Sequence, residues 1–154
     1  MKWLSLILFL GICLLTGFIG SIFTTSSVNS WYLLINKPIY TPPNWLFGPV
    51  WTTLFIMMGI SGWLAWKNDK KAKSKAFIYY FVQLGLNLLW SVIFFGLRSP
   101  FAASVEIIIL WIFIFLSIKS FAKINKIAGF LLYPYIVWVS YAAFLTISIY
   151  FLNR

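Results

Sequence analysis

Five apolar runs, each of about twenty residues or more, are separated by short polar breaks: residues 3–24, 44–66, 76–97, 101–120 and 128–152. At about 1.5 Å of rise per residue, each can cross a hydrocarbon layer about 30 Å thick. None alternates with the period of two that a barrel strand needs, and backbone groups in lipid must find partners within their own segment. All five are therefore expected to be helices. The expected fold class is an all-α integral membrane protein, a five-transmembrane-helix bundle forming one domain over residues 1–154. The breaks "RSP" and "KINK" leave room only for antiparallel neighbours. Residues 25–43 form the one long connection, and long connections in compact proteins tend to be lids or binding segments.

That connection ends in "KPIYTPPNWLFGPVW", dense in proline where a helix should begin. Thr41 is expected to cap the second helix, with Pro42 at its first position, where a missing N–H costs nothing. Pro49 and Pro134 fall inside the second and fifth runs. They are expected to kink those helices, free the carbonyls of Trp45 and Phe130, and leave room between the two.

Composition narrows the solvent and charge gives the direction. A chain of 154 residues that is 62% hydrophobic and only 9% charged cannot hide its apolar surface from water. The net charge of +10 does not form a nucleic-acid patch, because five lysines crowd "KNDKKAKSK" between the second and third runs. The amino end and the even connections hold Lys2, Lys67, Lys70, Lys71, Lys73, Lys75, Lys123 and Lys126, against Lys37, Arg98 and Arg154 on the other side. Positive residues favour the cytoplasmic face, so the amino terminus is expected inside, and the carboxyl terminus and the 25–43 loop outside. No alanine precedes Ala65, so the first run is expected to be a retained helix and not a signal peptide.

Several chemistries are excluded. Cys13 is the only cysteine, so no disulfide forms within the chain, and there is no histidine to ligate a metal or a haem iron. No Ser–His–Asp, Cys–His or paired-carboxylate set exists, and no metal site is expected.

The residues that lipid would reject are more informative. Gln83 and Asn87 are four apart in the third run, and Trp90 and Phe94 continue their face. Trp51, Phe55, Met58, Gly59 and Gly62 share a face of the second, and Tyr135, Trp138 and Ala142 one of the fifth. The first run carries a stripe of small residues, Gly17, Gly20, Ser21 and Thr24, which points first to close helix packing. Gln83 and Asn87 fit either interhelical hydrogen bonding or ligand binding. Counted in depth, Trp51 and Trp90 lie about 10 Å below the loop-side surface, with Asn87, Trp138 and Ala142 near mid-membrane. Antiparallel helices bring these to similar levels, as an aromatic box with an amide in its floor, suited to a flat, mostly apolar ligand. Trp3, Trp63 and Trp66 fit an interfacial belt. Glu106, the one acid within a run, is expected to pair with Arg98 or to reach the interface.

Three stretches, "KPIYTPPNWLFGPVWTTLFIMMG", "QLGLNLLWSVIFFGLRSP" and "LLYPYIVWVSYAAFL", resemble the signature regions of the TspO/MBR family, and the likeness runs from Gly17 onward. That family takes in bacterial tryptophan-rich sensory proteins and the mitochondrial translocator protein, also called the peripheral-type benzodiazepine receptor. The resemblance implies a five-helix bundle, often a homodimer, that binds porphyrins, in some members sterols, and benzodiazepine- or isoquinoline-carboxamide-type ligands. The pocket it implies uses Tyr32, Pro42, Trp51, Phe55, Gln83, Asn87, Trp90, Trp138 and Ala142. Trp51 and Trp138 match the tryptophans implicated in light- and oxygen-dependent porphyrin breakdown. No cofactor is required; porphyrin would be ligand or substrate, and the missing histidine favours its metal-free form. The last helix departs from the family's common Leu–Asn pair, since Thr146 follows Leu145. Leu145, Tyr150 and Arg154 fit a proposed cholesterol consensus that chance also produces at many helix ends. An interfacial tyrosine and a terminal arginine explain them as well, so sterol is not adopted as a partner.

Overall fold

The computed structural model describes residues 2–68 and 75–154. The basic connection through Lys70, Lys71 and Lys73 lies outside the described residues. Seven α-helices follow in order: α1 Lys2–Val28, α2 Trp31–Leu34, α3 Asn44–Asn68, α4 Lys75–Ser91, α5 Pro100–Ile124, α6 Lys126–Phe130 and α7 Tyr133–Asn153. A π-helical turn, Val92–Gly96, continues α4. Five helical spans (α1, α3, α4 with its π turn, α5, and α6 with α7) are long and apolar enough to cross a membrane, and no strand occurs among the described residues.

α1 runs four residues beyond its expected end. Its last turns look polar, but their hydroxyls find carbonyls: Thr25 Oγ1 donates to Ser21 O (2.9 Å) and Ser26 Oγ to Phe23 O (2.7 Å) within the helix, and Ser27 Oγ to Phe95 O of the π turn. Once satisfied in this way, the hydroxyls allow the helix to continue.

Two of the proline expectations need correction. Thr41 does not cap a helix; its hydroxyl donates back to Pro38 O at 2.7 Å in a turn, and α3 starts at Asn44, after both prolines. Pro134 does not kink a continuous fifth helix. α6 ends at Phe130, and Pro134 sits in the first turn of α7, where it needs no acceptor. Its ring would bar the Phe130 carbonyl, so the helix stops and restarts. Pro49 does lie inside α3.

Caps fix the short turns. Ser99 Oγ accepts from Ala102 N (3.3 Å) at the start of α5, and Asn125 Oδ1 accepts from Ile127 N and Ala128 N (2.9 and 3.1 Å) at the start of α6. Glycines set the approach of α1 to α3. A Cβ on Gly59 would stand 3.0 Å from Leu10 Cα, and one on Gly17 would stand 2.6 Å from the Phe55 ring. Deeper still, Tyr80 of α4 donates to the Met58 carbonyl of α3 (2.8 Å) and takes a contact of 3.1 Å from the Cys13 thiol of α1. Three helices meet at that one phenol. α5 packs against α4 and α7, and near the 29–43 loop a space remains among α1, α3, α4 and α7.

Candidate functional site

A cavity of about 460 Å3 occupies that space, within the ~300–1,000 Å3 usual for small-molecule sites. Trp51 and Phe55 of α3 form one wall, their rings 5.7 Å apart. Trp90 of α4 stacks on Phe94 at 5.0 Å, and Trp138 and Ala142 of α7 stand opposite. Phe47 meets the Trp138 ring edge-on at 6.4 Å, and Trp51 meets Tyr135 edge-on at 6.3 Å. These contacts bridge α3 to α7.

The floor is a hydrogen-bonded chain. Asn87 Nδ2 donates to the Tyr135 hydroxyl (2.7 Å), which donates in turn to Gln83 Oε1 (2.7 Å). Asn87 lines the cavity; Gln83 lies one turn deeper, fully buried, with its amide nitrogen 3.9 Å from Met58 Sδ. Both amides thus join interhelical hydrogen bonding, and of the two Asn87 also borders the cavity.

The loop forms the roof. Tyr32 of α2 lines the cavity and is buried against Phe94 and Phe95, with centroids 6.2 and 5.6 Å away. Burial pushes its phenol up to about 12, and the nearby Tyr141 adds to the rise, so it is neutral at physiological pH. Lys37 Nζ donates to Tyr32 O (2.6 Å) and Ile35 O (3.1 Å), and lies 4.8 Å from the Tyr32 ring centre. The loop is latched to α7. Asn36 N donates to Asn153 Oδ1 while Asn153 Nδ2 donates to Asn36 O, both at 2.8 Å. Tyr40 meets Ser148 Oγ at 2.7 Å, and the Tyr141 hydroxyl donates to the Tyr40 carbonyl.

Of the residues singled out in the sequence, Tyr32, Trp51, Phe55, Asn87, Trp90, Trp138 and Ala142 border this cavity; Pro42 and Gln83 do not. The small stripe does two things: Gly17 admits the Phe55 ring, and Gly17, Gly20, Ser21 and Thr24 also border the cavity. Sequence reasoning missed Val28, Phe47, Gly48, Thr52, Phe95, Thr146 and Ile149 as lining residues. Thr146 and Ile149 extend the Ala142 face at helical spacing, a signal that was available. Leu145 borders the cavity, Tyr150 contacts Phe101, and Arg154 lies over Phe151.

Glu106 also departs from its expected contact. It is 6% exposed, and neither carboxylate oxygen has a hydrogen-bond partner, so the expected pair with Arg98 is not formed. Arg98 sits in the turn after the π segment with φ 54°, exposed. Because no partner would be orphaned, Glu106→Leu is expected to cost nothing in thermal stability and to raise it by about 1–3 kcal/mol if the polar burial is uncompensated. A lower melting temperature for that variant in detergent would mean that Glu106 has a structural partner. The Trp90 indole N–H is also buried without an acceptor. No cluster of potential metal ligands occurs among the described residues.

Residues 9–152 match the TspO/MBR family over nearly the whole chain. The chain belongs to the TspO/MBR family. The tryptophan-rich protein TspO of Archaeoglobus fulgidus is 47% identical to it over 137 residues, 89% of each chain. The tryptophan-rich protein TspO of Chlorobaculum tepidum is 45% identical over 157 residues, covering 97% of this chain and 96% of its own. The human translocator protein is 33% identical over 136 residues, covering 86% and 80%. The shared regions include the helices that wall the cavity, so this TspO/MBR chain is an integral membrane protein with the expected five spans.

Proposed function

We propose that this chain is a receptor-like membrane protein whose cavity takes a metal-free porphyrin of the protoporphyrin IX type. Benzodiazepine- or isoquinoline-carboxamide-type molecules would compete for the same space. The observation that carries the reading is the cavity wall: three indoles, Trp51, Trp90 and Trp138, with the Asn87 amide in the floor. Flat aromatic faces suit a conjugated macrocycle, and a mostly apolar wall with a few polar groups suits a ligand with few hydrogen-bonding atoms. We place the amino terminus in the cytoplasm by charge, and a homodimer by family likeness.

Tryptophan quenching by protoporphyrin IX tests this. Trp51→Phe and Trp138→Phe should each weaken binding about two- to tenfold, the scale of one lost aromatic contact. Unchanged affinity in both variants would remove the cavity from consideration. With dioxygen as oxidant and light as energy source, the same tryptophans would support breakdown of the bound pigment. A pigment that bleaches equally fast with and without protein excludes this.

The unpartnered Glu106 favours one second reading, a carrier of porphyrin or sterol-like molecules driven by protons. Glu106→Gln should then abolish flux into vesicles while binding survives. Flux that persists in that variant leaves the receptor reading alone.

A further inference from the structure

We propose that ligand reaches the cavity sideways from the bilayer, through a slot between the loop-side halves of α1 and α3. The inference rests on reading the cavity as a ligand site and adds the route by which that site fills.

The other sides are closed. Toward α4, a Cβ on Gly20 would lie 3.4 Å from Ser91 Oγ, and the Ser27 hydroxyl donates to the Phe95 carbonyl at 2.5 Å. Toward α7, Phe47 abuts Trp138 and Trp51 abuts Tyr135. At the loop end, Asn36 with Asn153 and Tyr40 with Ser148 latch the roof down. Deeper in the bundle, Gly17 and Gly59 hold α1 against α3. On the loop side of Gly17 the two helices no longer seal. Phe18, Ser21 and Thr25 of α1 and Asn44, Gly48 and Thr52 of α3 border the cavity and are also exposed. A Cβ on Gly48 would find no atom within 4 Å, so this part of α3 is uncovered.

The chemistry of the slot fits an apolar passenger. Its hydroxyls are already used: Ser21 donates to Phe18 O (2.6 Å), Thr25 to Ser21 O (2.9 Å) and Thr52 to Gly48 O (2.8 Å). They add little bulk and offer no unsatisfied donor to detain an apolar molecule. A flat, lipid-soluble molecule concentrates in the bilayer by its apolar area, and so meets the slot without undoing the latch.

Stopped-flow tryptophan quenching decides it, with the full chain in lipid vesicles and protoporphyrin IX delivered in the membrane. Gly48→Leu and Thr25→Leu narrow the slot. Both should slow association by about tenfold, as a narrowed gate does. Asn153→Ala, which opens the latch, should leave the association rate as it is. If Gly48→Leu does not fold, Thr25→Leu carries the comparison.

Unchanged rates in the slot variants, with faster rates in Asn153→Ala, would put the route through the loop and overturn the inference. So would lost affinity at an unchanged association rate, which would make these residues part of the pocket wall. Rates that fall only as protein is crowded in the membrane would place a second copy over the slot and also overturn it. A parent protein that shows no quenching at all removes the ligand site itself.

Discussion

Gly59→Leu should leave almost no folded protein. A single Cβ at that position would already lie 2.8 Å from Leu10 Cδ2, 3.0 Å from Leu10 Cα and 3.2 Å from Leu10 N. Two of these atoms are backbone, so no side-chain rotation relieves the clash. α1 would have to back away as a body and carry Cys13 from Tyr80 and Gly17 from Phe55. Overpacking in a core that can adjust costs about 1–3 kcal/mol. A leucine against backbone should exceed the top of that range. The matched control is Gly85→Leu, since a Cβ there meets nothing within 4 Å on an exposed face of α4. In detergent, Gly85→Leu should elute as the parent does, and Gly59→Leu should lose about nine-tenths of its monodisperse peak. Equal recovery of the two would show that the α1–α3 contact is slack.

Tyr135→Phe should have the second-largest effect, and on stability before binding. The hydroxyl stands between Asn87 and Gln83, so its loss strands a donor and an acceptor together. A stranded buried group costs about 1–3 kcal/mol in a protein core. Hydrogen bonds between membrane helices average about 0.6 and reach about 1.7 kcal/mol. Two lost at once therefore amount to about 2 kcal/mol, visible as earlier thermal unfolding. Freed from Tyr135, the Asn87 amide can also turn toward a ligand, so affinity should change where Gln83→Leu leaves it alone. A Tyr135→Phe protein that melts with the parent would mean that packing alone holds Asn87.

The sequence was most readable where lipid imposes a rule. A backbone without water must be helical, so five apolar runs became five helical spans. Helical spacing also brought Trp51 with Phe55, Asn87 with Trp90 and Trp138 with Ala142 toward one level, and they border one cavity. Legibility ended where a polar side chain had more than one way to be satisfied. Thr25 and Ser26 look like loop residues until their hydroxyls bond their own helix. Thr41 could cap a helix or close a turn, and it closes a turn. Gln83 and Asn87 share a face, but a single turn of depth, set by Tyr135 from another helix, separates a packing amide from a cavity amide. Glu106 lies eight residues from Arg98, but nearness along the chain does not aim two side chains at each other when a left-handed residue turns the backbone between helices.

The π turn at Val92–Gly96 makes residue count a structural quantity. Its wide winding brings both Phe94 and Phe95 inward, their rings 4.8 Å apart, and Tyr32 seats against the pair. It also leaves the Phe95 carbonyl to the Ser27 hydroxyl. Deleting one residue here would let the winding close to that of an ordinary α-helix, with one residue fewer to turn inward. A single-codon deletion in the lipid-facing middle of a helix changes what the protein shows to the membrane. The same deletion in this turn would change what the roof rests on, so the seat of Tyr32 is written in the number of residues as much as in their identity.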